Sequence, residues 1–143
     1  MDRAPGPEDP EDPDQGELVP GTYVFDCSEG TTSGDTHAGD QTVTYKGITL
    51  HVTTGILGTD DGQYRIYKGS TLTVSVPEGH SISLIELTCT ASGTSKYGPG
   101  CFTEQDGYEV MDNVGVWSGS ASSVDFTASG NQVRATKIEV TVE

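Results

Sequence analysis

The sequence is short of positive charge, short of apolar residues and without any long hydrophobic run, and each shortage closes off a class of function. Lysine and arginine together number 7 against 22 aspartates and glutamates, a formal charge of −15 in 143 residues. A chain this acidic repels a polyanion overall, a strong bias against DNA or RNA as a partner. No run approaches the roughly 18–20 apolar residues that a membrane-crossing helix needs, so the chain is expected not to span a bilayer. The first five residues also lack the apolar stretch of a secretory signal. Hydrophobic residues make up only 32%. Nowhere do they recur at three- and four-residue spacing over three turns, so no long helix is expected.

Reactive constellations are missing as well. The three histidines, His37, His51 and His80, are far apart with no paired ligand spacing, which argues against a zinc site. Asp60-Asp61-Gly62 resembles a fragment of a calcium loop but lacks the alternating acids and the terminal glutamate, so it reads as a hairpin turn. A structural calcium held by backbone carbonyls and scattered carboxylates stays open; no other cofactor is expected. The serines fall in Gly/Ser turns such as Ser118-Gly119-Ser120, outside the strand-turn-helix setting of an exposed nucleophile. Acids are so plentiful that a pair of them is uninformative about glycoside hydrolysis. The chain is not expected to be an enzyme.

What is present is glycine and alternation. A mass of 15.0 kDa allows one ordinary domain, and 19 glycines point to many turns. Residues 1–20 carry five of the seven prolines and seven acids against Arg3 alone. They cannot offset an ordering cost of about 1–2 kcal/mol per residue, and read as a disordered acidic linker. The domain is expected over 21–143. It keeps 15 acids against 6 bases, so the acidity belongs to the domain as well as to the leader. An acidic, Pro-rich leader before a compact domain is also what remains if a secretion or lipoprotein signal has been replaced by an initiator Met.

Within 21–143 the period is two, the mark of strands with one buried face. Tyr23, Phe25 and Cys27 alternate with Val24 and Asp26, and Ile48, Leu50 and Val52 with Thr49, His51 and Thr53. Leu72, Val74 and Val76 form a third strand, and Pro77-Glu78-Gly79 is expected to turn it into a hairpin with the next. That strand slips phase between Leu84 and Ile85, and the last slips between Ala135 and Ile138; a bulge would cause each slip. Val124 and Phe126 mark another strand. Eight or nine short strands in this length suit an all-β antiparallel sandwich. Trp117 follows Cys27, Cys89 and Cys101 instead of lying between two of them, which favours a jelly roll over an immunoglobulin-like order.

Four segments are recognisable: QYRIYKGSTLTV at 63–74, ISLIELTCT at 82–90, WSGSASSVDF at 117–126 and QVRATKIEV at 132–140. Together they resemble a domain found at the C-terminal ends of secreted and surface proteins of gut Bacteroidetes, with related sequences in phages of such bacteria. The resemblance covers about 21–143. It implies a β-sandwich similar to carbohydrate-binding modules and adhesion domains, attached to a larger surface assembly or a lipid anchor. An extracellular or cell-surface location follows from it, with the virion surface as the alternative.

Sugar rings bury their C–H faces on aromatic side chains while nearby polar groups read the hydroxyls. The candidates for such a surface are Tyr97 in a Gly/Pro loop, Trp117 opposite Val114 and Val116, Tyr108 after a turn, and Tyr67 beside Arg65. The expected function is non-catalytic binding of a polysaccharide or surface glycan, the alternative a spacer or virion-surface domain with no small ligand. Cys89 and Cys101, either side of the 90–100 loop, are candidates for a disulfide worth about 3 kcal/mol. They also read as small buried hydrophobes, and Cys27 as a core residue.

Overall fold

The computed structural model describes residues 18–60 and 62–143. Residues 1–17 of the expected leader and Asp61 of the hairpin turn lie outside them. Leu18, the first described residue, is buried, and a Cβ on Gly47 would touch its Cβ at 3.4 Å.

Ten strands run in chain order through the described residues: β1 (Gly21–Asp26), β2 (Gly39–Tyr45), β3 (Ile48–Asp60), β4 (Gln63–Ile66), β5 (Thr71–Ser75), β6 (Ile82–Cys89), β7 (Tyr108–Met111), β8 (Val114–Ala121), β9 (Ser123–Thr127) and β10 (Val133–Val142). The only helical pieces among these residues are short 3-10 turns at Cys27–Glu29 and Pro99–Cys101. Every strand pair is antiparallel. The hydrogen-bonded order is β7-β8-β6-β10-β4-β3-β5-β9, with β1 added on β10 and β2 on β3.

Two long strands explain how one sheet becomes two layers. The first half of β3 pairs with β2 and β5, and its second half turns away to pair with β4. β10 pairs with β4 at Val133–Ala135, then with β1 and β6 further on. One layer is therefore β7-β8-β6-β10-β1, the other β2-β3-β5-β9, and β4 joins them. Gly55 sits where β3 bends, and a Cβ there would collide with the carbonyl oxygen of Arg65 on β4. The all-β antiparallel sandwich is thus the architecture. This order does not by itself spell out the jelly roll preferred from the sequence.

The core follows the alternation. Phe25, Leu50, Val52, Leu72, Val74, Val124, Phe126, Ile138, Val140 and Val142 all point inward, each at most 5% exposed. Each such side chain contributes on the order of 1.5–3 kcal/mol by leaving water. A bulge accompanies each phase slip: β6 is irregular against β8 between Ile82 and Leu84, just ahead of the slip at Leu84–Ile85, and β10 against β6 between Ala135 and Lys137, within the second slip.

One connection differs from expectation. β5 and β6 do not form a hairpin: β5 pairs with β3 and β9, β6 with β10 and β8. Val76 donates instead to the Ser122 carbonyl, and residues 77–81 carry the chain from one layer to the other.

Aromatic rings meet at both margins of the sandwich. Phe25 of β1 and Tyr45 of β2 pack edge-on with centroids 5.7 Å apart. At the opposite margin Phe102, Tyr108 and Phe126 form a cluster, and residues 103–105 run beside β9. There Thr103 N donates to Thr127 O, and Gln105 Nε2 donates to Asp125 O, both at 2.8 Å.

Candidate functional site

The four nominated aromatic residues separate into two pairs. Tyr108 and Trp117 are register partners on β7 and β8, facing the interior. Trp117 is 7% exposed, with its ring against Gly119; a Cβ on that glycine would be 2.9 Å from Cζ2. It is a core residue and not a sugar platform, because its strand turns the valines outward and the indole in. Tyr108 is half-buried, its phenol donates to the Pro99 carbonyl at 2.8 Å, and burial pushes that phenol well above the usual tyrosine range.

Tyr108 nevertheless reaches a cleft of about 550 Å³ between β7 and the segments around residues 93–94 and 100–106. Phe102 and Tyr108 supply the apolar floor, Val110 one side, and Glu104, Gln105 and Asp106 the polar rim. Glu104 and Asp106 are exposed, and Val110 is 36% exposed. The cleft combines ring edges with carboxylate and amide groups able to accept and donate hydrogen bonds to hydroxyls. The sequence carried a signal for it: residues 102–108 read Phe-Thr-Glu-Gln-Asp-Gly-Tyr, an aromatic at each end of a polar run. Strand alternation alone could not show that this run folds back along β9.

Tyr97 and Tyr67 lie elsewhere, on the outward side of β4 and β10. Tyr97 has φ +80°, a left-handed conformation costly for a bulky side chain. Two backbone bonds hold it there: Tyr97 N donates to Gln132 O at 2.9 Å, and Arg134 N donates to Tyr97 O at 3.2 Å. The Arg134 guanidinium lies over its ring, Cζ 3.7 Å from the centroid, and Lys96 Nζ is 5.2 Å away. With a guanidinium stacked on it, this ring organises cations and is not a bare platform for a sugar. Tyr67 follows β4, and its N–H donates to Thr54 O. It is half-buried on the face of Arg65, which stands opposite Arg134 in the β4–β10 register.

The expected disulfide is not formed: Cys27, Cys89 and Cys101 are all free thiols. Cys101 Sγ faces the carbonyls of Ser95 (3.2 Å) and Thr94 (3.7 Å), and Cys89 Sγ lies 4.0 Å from Leu87 O. Cys101 belongs to a 3-10 turn. Burial, reinforced by Cys101, pushes the Cys89 thiol up to about 12; burial likewise raises Cys27 to about 11.

No group of three or more His, Cys, Asp or Glu side chains among the described residues is placed to hold a metal ion. His51 faces outward, its Nε2 2.8 Å from Asp40 Oδ2. Asp60 and Gln63 close the β3–β4 hairpin, as the reading of Asp60-Asp61-Gly62 as a turn expected. No protein-family model matches the chain, and comparison with curated proteins and with solved structures found no match.

Proposed function

We propose that the chain is a non-catalytic polysaccharide-binding or adhesion module of a secreted or cell-surface protein, and that a sugar chain seats in the cleft beside β7. The observation that carries this reading is the meeting of Tyr108 with Glu104, Gln105 and Asp106 at one cleft. The ring edge offers apolar contact to sugar C–H groups, and the three polar side chains are the kind that read hydroxyls. The resemblance of the four framework segments to surface-protein domains of gut Bacteroidetes supports the same reading and the location.

The test is a panel of host, plant and bacterial polysaccharides, followed by calorimetry on any binder. Glu104→Ala with Asp106→Ala leaves the core untouched and is expected to weaken binding at least tenfold. Binding unchanged by that double variant, or no binding to any member of the panel, would overturn the proposal. A second reading, a spacer or virion-surface domain without a small ligand, is favoured by the sealing of Trp117 in the core and would gain from the latter result.

A further inference from the structure

Although the chain is acidic, its few cations are not spread out. The described residues hold Lys46, Arg65, Lys68, Lys96, Arg134 and Lys137; Arg65 lies on β4, Arg134 and Lys137 on β10, Lys96 in the loop bonded to β10, and Lys68 two residues after β4. Arg65 and Arg134 stand directly opposite each other on antiparallel strands. Like charges in that position destabilise a sheet. Each arginine is braced in the same way, its Nε donating to a glutamine two residues earlier: Arg134 to Gln132 Oε1 at 2.6 Å, Arg65 to Gln63 Oε1 at 2.9 Å.

Around Tyr97 the bracing is complete. The ring is fixed by its own backbone bonds to β10, Arg134 lies on it, and Lys96 stands beside it. Lys96 and Arg134 form no ion pair with any carboxylate among the described residues, whereas Lys137 sits 3.6 Å from Glu139. The Arg134 bond to Gln132 occupies Nε and leaves the two terminal nitrogens, which form a planar fork suited to a two-oxygen anion. A strained tyrosine and a guanidinium with no carboxylate partner among the described residues both cost stability, and they meet at one spot.

We propose that Arg134 and Lys96, gathered around the Tyr97 ring, bind a carboxylate or sulfate ester carried by an acidic polysaccharide. The anion chemistry stands on this geometry; the polysaccharide rests on the function proposed above. The two sites share a loop. Thr94 on the cleft wall and Lys96 are two residues apart, within about 7 Å along the chain.

The experiment has two arms at 0.15 M salt, where the Debye length of about 8 Å screens the repulsion between an acidic protein and an acidic polymer. In the first, affinity electrophoresis compares polygalacturonate, dextran sulfate, neutral dextran and duplex DNA. Retardation by polygalacturonate or dextran sulfate, lost at least tenfold in Arg134→Gln and weakened in Lys96→Gln but kept in Lys46→Gln, is expected. Which polymer binds decides between uronate and sulfate. In the second, ¹⁵N-labelled protein is titrated with galacturonate and with inorganic sulfate, and the Arg134 Nε–H and Tyr97 amide signals are expected to move. If an acidic polymer binds equally well to Arg134→Gln, the inference falls while the polysaccharide reading survives. If small anions move the Arg134 signal yet no polysaccharide binds, the anion site stands and the polysaccharide reading falls. Equal retardation by DNA, or silence in both arms, overturns the inference.

Discussion

Tyr108 on β7 and Phe126 on β9 stand at opposite ends of the strand order, yet their ring centroids are 5.5 Å apart. β7 and β9 do not pair, and this contact packs the margin between them. Phe102 completes the cluster at 5.4 Å from Phe126. The cleft proposed to bind sugar is lined by two of these three rings, so the packing also shapes the site.

Truncating the cluster should therefore cost stability and reshape the cleft together. Phe126→Ala is expected to lose about 3–5 kcal/mol in urea unfolding, as for other fully buried phenylalanines. Tyr108→Phe keeps the ring and removes only the bond to Pro99 O. Its expected loss is about 1–2 kcal/mol, and an equal loss in both variants would show that the margin is not held by ring packing.

The layers were legible because Leu, Val, Ile and Phe alternate cleanly in β3, β5, β9 and β10, and because bulges leave a trace as a phase slip. β2 was not legible: its inward positions are Gln41, Val43 and Tyr45, and a glutamine at a core position hides the period. The 77–81 crossover was misread because a Pro-Gly turn looks the same whether it returns a strand to its neighbour or sends it to the other layer. The burial of Trp117 was hidden for a related reason. Alternation showed that Trp117 opposes its valines but not which face the layer would cover. The cation cluster depends on the β4–β10 register, which brings positions 65 and 134 together across 69 residues.

Glu86 and Glu139 are register partners on the outer face of β6 and β10. A hydrogen bond between the two carboxyls, then partial burial and the charge of Glu139, raise Glu86 above the usual glutamate range. A raised value means the folded state favours the protonated form. That stabilisation is present in full below the ordinary glutamate value of about 4.3 and is lost as pH rises through the higher folded one. Glu86→Gln removes the like-charge pairing at pH 7 and should raise Tm there by about 1–3 °C. The difference should vanish near pH 4; a gain of the same size at both pH values would rule out the carboxyl pair as its source.

The thiols provide a separate check on the interior. Cys89 and Cys101 are each 3% exposed, which closes both sulfurs to a reagent, and burial shifts the Cys89 thiol up to about 12, so Cys89 presents no thiolate at pH 8. A disulfide-exchange reagent should label neither of them within minutes in the folded protein. After unfolding without reductant it should label three thiols. A count of one would show that Cys89 and Cys101 are bridged.

Gln41 is the buried polar group on which the irregular 30–38 segment depends. At 4% exposure it satisfies all its hydrogen-bonding capacity: Oε1 accepts from Leu57 N and Ser33 Oγ, both at 2.7 Å, and Nε2 donates to His37 O at 2.6 Å and Asp35 O at 3.1 Å. Gln41→Ala removes every partner at once and leaves the Leu57 N–H buried and unpaired, an expected loss of about 3 kcal/mol. Gln41→Glu is the sharper test. An ionised glutamate still accepts from Leu57 and Ser33 but aims negative charge at two carbonyls, while the protonated acid restores one donor. The folded state should then hold the proton more tightly than the unfolded chain. This variant is expected to approach the stability of the parent near pH 4 and to lose it steadily as pH rises toward 7. Urea unfolding at the two pH values would show it, and a deficit independent of pH would mean that the carbonyls of Asp35 and His37 do not rely on this side chain.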